Sequence, residues 1–329
     1  MAKRKRARSE RRKRDLIRGV ASDVAISNVD RPPLKQISFP DVLSTHKWSL
    51  LAFLGVLLYS YWPTLIWVEG NWRTEPDYSH GYLVPFLAGL LLWHRQDSFP
   101  GIDETASWAG ISLIFFAIVM RVAGRLLYAD FLDAWSMAPL LAGVIWFAFG
   151  KQVMLWCSPA IVFLLFMFPL PYRAESLLSW KLQGIATGFS TMLLRVFGQP
   201  AVAESHVIWV GDQRLMVEEA CSGMRIFVGI AALAFFWAAM VKRSWIDRLV
   251  LVASIFPLAI LVNAVRVTVV GLLYQQFGDA SMRRTIHDWS GYLMIPLAFA
   301  SLWLIKAYWE RLYRPVDQLN ASDFIRDTA

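Results

Sequence analysis

Three residues whose types could together carry out acyl transfer lie in the C-terminal half of the sequence: Cys221, Arg266 and His287. A cysteine thiolate can attack a carbonyl carbon, and an arginine can stabilise the negative charge that develops on the carbonyl oxygen. A histidine titrates near neutral pH and can move the protons of such a reaction. The set predicts a cysteine-dependent acyl-transfer site if the fold brings the three residues together.

Cys221 lies in the stretch VEEACSG, which leads from a polar segment into an apolar run. A substrate can reach the thiol at such a boundary, and the Ser222-Gly223 step that follows allows the backbone to approach closely. Glu219 precedes the cysteine, and the N-terminal end of the following helix would stabilise a thiolate. The alternative is a small buried apolar residue, as free cysteines often are. That alternative is our interpretation of Cys157, the other of the two cysteines.

Arg266 stands inside the otherwise apolar stretch LAILVNAVRVTVVGLL. A charge within a membrane is costly unless it is paired or lies in a wet cavity, so such an arginine is a candidate functional residue. Asn263 lies one turn earlier on the same helix face and could hydrogen-bond either the guanidinium or a substrate. The alternative is a structural ion pair between Arg266 and Glu218 or Glu219.

Two histidines compete for the role of proton carrier. His287 lies at the start of the last apolar segment, and its assignment depends on convergence with the cysteine and the arginine, because a lone interfacial histidine is usually inert. His80, in the stretch DYSHG with Tyr78, could be a second base or could hold a turn. The sequence contains no cluster of metal ligands and no phosphate-binding glycine loop. We therefore expect neither a metal nor a cofactor.

The composition indicates a membrane protein: 57% of the 329 residues are hydrophobic and 18% are charged. Soluble domains have about a quarter charged residues. Apolar stretches in lipid must form helices, each of about 20 residues. We predict an all-α polytopic membrane protein of about eight transmembrane helices, with apolar segments at 48–67, 80–94, 108–127, 134–150, 153–171, 222–241, 247–274 and 289–309.

Ten of the first 18 residues are lysine or arginine, which places the N-terminus on the cytoplasmic side. We interpret residues 1–47 as a largely disordered basic tail that contacts anionic lipid, and we expect no nucleic-acid partner. Residues 48–309 form the integral membrane domain and 310–329 a cytoplasmic C-terminal tail. The long segment 172–221 then lies outside, with a helix over 176–196 and a short β-hairpin in HVIWVGDQRLMVE before the sixth span.

The motifs Ala220-Cys221-Ser222-Gly223 and Asn263-Ala264-Val265-Arg266, followed by His287, resemble those of the exosortase/archaeosortase family, in its bacterial exosortase branch. The stretches Tyr78-Ser79-His80-Gly81 and Phe168-Pro169-Leu170-Pro171, the second of which also predicts a helix end, are similar to family features as well. The resemblance runs from about residue 48 to 309.

The resemblance implies a membrane-embedded cysteine peptidase or transpeptidase in the bacterial cytoplasmic membrane, with both termini inside and the site facing outward. Its partners would be surface proteins that end in a short motif such as Pro-Glu-Pro, a transmembrane helix and a basic tail. Cys221 would be the nucleophile, Arg266 would stabilise the thiolate or the oxyanion, and His287 would transfer protons.

Two other functions are compatible with the residues. A transporter or assembly scaffold for exported polysaccharide could use Arg266 to line a path for an anionic substrate, but it would not need an outward-facing cysteine. Another membrane acyl transferase could use Cys221 as a carrier of an acyl group from lipid. Alkylation of the thiol from outside distinguishes the transporter from the two enzymes.

Overall fold

The computed structural model describes residues 37–103, 107–217, 223–241, 245–276 and 280–312, with the backbone alone at 76, 223, 280, 284, 287 and 288. Helices dominate this part of the chain, because a helix pairs the backbone polar groups of an apolar segment within the segment itself. In chain order they are α1 Phe39–Thr45, α2 Lys47–Ser60, α3 Trp62–Thr74, α4 Val84–His94, α5 Trp108–Leu126, α6 Asp130–Trp135, α7 Met137–Phe149, α8 Lys151–Leu164, α9 Tyr172–Val196, α10 Gly223–Met240, α11 Trp245–Ala253, α12 Ile255–Gln276 and α13 Ala280–Leu312. Short 3₁₀ helices cover Pro76–Tyr82, Gln96–Ser98 and Leu165–Met167.

The predicted all-α membrane architecture is confirmed, whereas the count of eight spans is not. Four helical segments are long and apolar enough to cross a membrane: Trp108–Leu126, Asp130–Phe149, Trp245–Gln276 and Trp289–Leu312. Two bent pairs of helices, α1 with α2 and the α8 segment with α9, raise the number to six if each pair is one span. These numbers hold for the described part of the chain.

The count differs because several apolar segments of the sequence form helices that are shorter than the segment or are interrupted by a bend. Helix α4 has 11 residues, which gives a length of roughly 16 Å against a hydrocarbon core of about 30 Å. The first predicted span is interrupted at Tyr61, and Pro63 follows at the start of α3, where its missing N–H is tolerated. Helix α10 is apolar, but its apolar stretch Met224–Met240 is slightly shorter than the four segments that are long enough to cross a membrane.

The proline-rich stretch after α8 ends that helix, as the sequence predicts. The chain passes from α8 through the 3₁₀ turn Leu165–Met167 and resumes as α9 at Tyr172, with a bend of 80°. Pro171 occupies the N-cap position of α9. The helix predicted over 176–196 is therefore confirmed and begins four residues earlier.

A small antiparallel sheet follows α9, in the strand order β1 Ala201–Glu204, β2 Val207–Val210 and β3 Gln213–Met216. The predicted hairpin of β2 and β3 is confirmed, with Val210 opposite Gln213 across a two-residue turn. Gly211 has φ +61° at the first turn position, a conformation in which glycine meets no steric penalty. Strand β1 was not predicted, and it pairs with β2 through Ala201 opposite Val210.

The sheet packs onto the helices that carry the candidate site. Ile208 and Leu215 of the sheet are buried in one apolar cluster with Leu194 of α9 and with Val267 and Val270 of α12. A second cluster joins α10, α11, α12 and α13 through residues such as Ile230, Leu251, Leu258 and Leu302. Helix α12 is thus held between the sheet on one side and α10 and α13 on the other.

Of the predicted basic tail, the structure describes residues 37–47, which include α1. Cys157 is buried in α8 within an apolar cluster that contains Trp156 and Ile161. Cys157 is as buried as these apolar neighbours, in agreement with its interpretation as a small buried residue.

Candidate functional site

Arg266 is a buried cation near the middle of α12, with 4% of its surface exposed. Its Nε–H donates a hydrogen bond of 3.1 Å to Oγ of Ser290 in α13. Ser290 lies three residues after His287 on the same helix, so the two residues occupy neighbouring positions of one helix face. The fold therefore brings the Asn-x-x-Arg helix against the helix that carries His287.

A second guanidinium lies beside Arg266. A Cβ atom added at Gly291 of α13 would stand 3.5 Å from Nη2 of Arg266 and 3.9 Å from Nη1 of Arg225. Arg225 belongs to the first turn of α10, four residues after Cys221 in the sequence. Its Nε lies 3.6 Å from Oδ1 of Asp77, which is an ion pair too long for a hydrogen bond.

Asn263 is buried on α12 with 2% of its surface exposed. Neither its amide nitrogen nor its amide oxygen has a hydrogen-bond partner among the described residues. The hydrogen bond to the guanidinium of Arg266 that the helical spacing allows is therefore not formed. Buried amides are nearly always paired, and one that is not calls for a specific explanation.

The stretch from Trp72 to Gly81 supports the broken backbone after α8. Nε1 of Trp72 donates to the Met167 carbonyl at 2.7 Å, and the hydroxyl of Tyr78 accepts from the Leu170 N–H at 3.1 Å. Nε2 of His80 lies 2.9 Å from the Phe166 carbonyl, where it donates. Backbone groups that leave a helix at a proline break need such partners inside a membrane protein.

These contacts show what the motif around Tyr78 does for the fold. Burial raises the pKa of the Tyr78 hydroxyl well above its usual value, so Tyr78 stays neutral. Gly81 faces the indole ring of Trp72 so closely that a Cβ would overlap Nε1 of the ring. His80 holds a turn through its Nε2, which is one of the two roles that the sequence left open for it.

An apolar cavity of about 420 Å³ lies between the 3₁₀ helix Pro76–Tyr82 and helices α4, α10 and α13. Its polar lining residues are Ser79, His80, Arg225 and Arg266. The remaining side chains are aliphatic or aromatic, among them Leu83, Leu87, Ile230, Leu233, Met294 and Phe299. His80 and Arg266, predicted from distant parts of the sequence, thus face one cavity, whereas Asn263 and Tyr78 do not line it.

Several predicted site residues fall outside what the structure describes. Glu219, Cys221 and Ser222 belong to the undescribed stretch 218–222, and Gly223 is described as the first backbone position of α10. The backbone of His287 lies in α13, which begins at Ala280 rather than near residue 289. Their assignment remains a prediction.

Sequence reasoning did not single out Arg225 or Asp77 as site residues. The available signal for Arg225 is the one that identified Arg266, a lone arginine at the edge of an apolar run, here followed by Ile226, Phe227 and Val228. Asp77 carries no such signal, because an acidic residue in a polar loop is ordinary. Only the fold shows that it reaches Arg225.

One protein family matches most of the chain. The family model described as "Transmembrane exosortase (Exosortase_EpsH)" matches residues 72–304, which include every described residue of the cavity and the stretch around Cys221. No curated protein matches the chain, and no solved structure does. The match covers well over half of the sequence and supports a membrane transpeptidase-type role in general. The chain therefore belongs to the transmembrane exosortase family.

Proposed function

We propose that this exosortase is a membrane-embedded cysteine peptidase or transpeptidase that cleaves C-terminal sorting signals of exported surface proteins through an acyl-enzyme on Cys221. The observation that carries the proposal is the position of Arg266. Its guanidinium contacts Ser290, one turn from His287, and stands beside the first turn of α10, which begins two residues after Cys221. Helix α13, which carries the backbone of His287, and helix α10, which begins two residues after Cys221, therefore both contribute side chains around this buried cation.

In the first step the Cys221 thiolate attacks the scissile carbonyl carbon and forms a carbon–sulfur bond. The negative charge moves to the carbonyl oxygen, where the Arg266 guanidinium stabilises it. The tetrahedral intermediate then collapses, the carbon–nitrogen bond breaks, and His287 gives its proton to the departing amine. The result is a thioester between the substrate and Cys221 and a free C-terminal fragment.

In the second step a water molecule or an amine attacks the thioester carbonyl, and neutral His287 accepts the proton from this nucleophile. The carbon–sulfur bond breaks and the thiolate returns. Water gives a hydrolysed product, whereas an amine gives a transpeptidated one. Glu219, Ser222 and Gly223 would shape the surroundings of the thiol, and Asn263 offers an unpaired amide to the substrate.

The substrates proposed for this site are surface proteins with a short C-terminal motif of the Pro-Glu-Pro kind, a transmembrane helix and a basic tail. We place the enzyme in the bacterial cytoplasmic membrane, with both termini in the cytoplasm and Cys221 facing outward. The basic N-terminal residues support this orientation.

Capture of the acyl-enzyme tests the proposal directly. Membranes that contain the protein and a tagged substrate are treated with hydroxylamine, which cleaves thioesters, and the products are analysed by mass spectrometry. We expect a substrate fragment bearing a C-terminal hydroxamate from the wild type and none from Cys221→Ala. A transporter or assembly scaffold would yield no hydroxamate from either protein, and that result would overturn the proposal.

A further inference from the structure

Arg225 and Arg266 form a pair of cations in the lining of the apolar cavity. Both guanidinium groups face the same point beside Gly291, at 3.9 Å and 3.5 Å, so the two nitrogens lie at most 7.4 Å apart, the sum of these distances. Charge-assisted hydrogen bonds of about 2.8 Å on each side leave a gap that a single oxyanion group can bridge. The geometry suits one shared anion.

Positive charge predominates among the described residues at this point. Asp77 is the carboxylate among them within ion-pair distance of the two guanidinium groups, and it pairs with Arg225. The described residues thus set two arginines against one aspartate beside a low-dielectric cavity, where an unneutralised cation is costly. A bound anion would stabilise both arginines.

The cavity beyond the two arginines is built for alkyl groups. Its walls come mostly from helices, whose backbone groups are already paired, and its polar lining residues are Ser79, His80 and the two arginines. An extended peptide would carry backbone N–H and C=O groups that find no partners on the apolar walls. An alkyl chain has no such groups and therefore meets no such cost.

We infer that the cavity binds an anionic phospholipid, with its phosphate between Arg225 and Arg266 and one acyl chain among Leu87, Leu233, Met294 and Phe299. Arginine forks match phosphate oxygens in geometry, and phospholipid is the abundant amphiphile around a membrane protein. Arg266 carries five N–H donors, which suffice for Ser290, a phosphate oxygen and an oxyanion. Binding needs neither Cys221 nor His287, so this inference goes beyond the proposed function.

Native mass spectrometry of the full-length protein in a nonionic detergent tests the inference with added phosphatidylglycerol, phosphatidylcholine or palmitate. We expect the wild type to retain one phosphatidylglycerol in preference to the other two. Arg225→Met should retain it at least tenfold more weakly, because it loses charged hydrogen bonds. Gly229→Leu should do so as well, because Gly229 lines the cavity and has open space at its Cα.

Matched variants serve as controls. Gly89→Leu adds the same side chain at an exposed glycine of α4 that also has open space, and Arg73→Met removes an exposed cation from α3. Both should retain the lipid as the wild type does, and so should Cys221→Ala. Equal retention by Arg225→Met and Gly229→Leu would overturn the inference, as would a preference for palmitate, which would make the bound anion a carboxylate. Loss of processing in Cys221→Ala leaves lipid retention unchanged and thus reports on the proposed function alone.

Discussion

The Nε–H of Arg266 donates to Oγ of Ser290 across 3.1 Å, and both residues are buried. This hydrogen bond joins α12 to α13 at the level of the candidate site. It orients the guanidinium plane, because Nε is the donor nearest the side-chain stem and its partner sits on a different helix. The terminal nitrogens are then directed toward Gly291 and the cavity. A point charge alone would not require this orientation.

The orientation of Arg266 predicts that lysine cannot replace it. Arg266→Lys keeps the charge but loses the planar fork and the Nε–H that Ser290 receives. We expect a folded protein whose reaction barrier is higher by about 2.7–4 kcal/mol, the usual cost of a lost oxyanion donor. Processing of a tagged substrate at matched membrane levels measures this loss.

Two results would assign a different role to Arg266. Near-normal turnover in Arg266→Lys would mean that a simple positive charge suffices. If Arg266→Ala lowers only the amount of protein, and the remaining protein processes substrate normally, the role of Arg266 is structural. As a control, Lys181→Arg exchanges the two cations in the opposite direction at an exposed position of α9 and should leave processing unchanged.

Cys221 is the predicted nucleophile, and the second cysteine provides an internal control. Cys221→Ala and Cys221→Ser should both insert into the membrane and lose processing, because a serine hydroxyl is a far poorer nucleophile without a strong base. Cys157→Ala should process substrate normally, since Cys157 is buried in α8. Wild-type processing by Cys221→Ala would refute the assignment of the nucleophile.

His287 is the predicted acid and base, in competition with His80. The Nε2 of His80 already bonds the Phe166 carbonyl, so we expect His80→Ala to disturb the turn after α8 and lower protein stability. We expect His287→Ala to lower processing by roughly 10²–10⁴-fold, the range for general acid–base catalysis. Thermal unfolding and processing are measured on both variants at equal membrane levels.

Alkylation of the Cys221 thiol gives an independent test of the roles of His287 and His80. Cys221 in His287→Ala should still react with small alkylating agents, because the variant lacks a proton carrier and keeps the nucleophile. A His287→Ala enzyme within tenfold of the wild type, beside an inactive and stably folded His80→Ala enzyme, would reverse the assignment.

Local patterns were sufficient to predict the parts of this fold that depend on neighbouring residues. The helical class, the hairpin of β2 and β3, and the helix end at Pro169 and Pro171 follow from hydropathy, turn residues and proline chemistry. The identification of Arg266 also needed only the cost of a charge in an apolar segment. Each of these features is determined within a short window of sequence.

Features that depend on distant contacts were not predicted. Strand β1 has four residues and acquires its identity from pairing with β2. The bond between Tyr78 and Leu170 joins positions 92 residues apart, and the proximity of Arg225 to Arg266 results from helix packing. A hydropathy window also sums over bends, so it counts broken helices such as α2 and α3 as one span. No local pattern contains this information.

Replacing the unpaired amide of Asn263 should change the stability and the activity of the protein in opposite directions. An unsatisfied buried polar group costs about 1–3 kcal/mol, a cost that Asn263→Leu removes by replacing the amide with an apolar group of related shape. We therefore expect Asn263→Leu to have a higher thermal unfolding midpoint than the wild type in detergent. If the amide binds substrate, the same variant should process substrate at least tenfold more slowly.

The neighbouring Ser190 provides the matched control for Asn263→Leu. Its Oγ–H donates to the Ala264 carbonyl at 3.2 Å, so this buried hydroxyl is paired. Ser190→Ala should lower the free energy of unfolding by about 0.5–1.5 kcal/mol and leave processing unchanged. Opposite shifts in stability for the two variants, with a loss of processing confined to Asn263→Leu, identify an amide kept for the substrate. Normal processing by Asn263→Leu would exclude the amide from substrate binding, because the change leaves Arg266 and its bond to Ser290 in place.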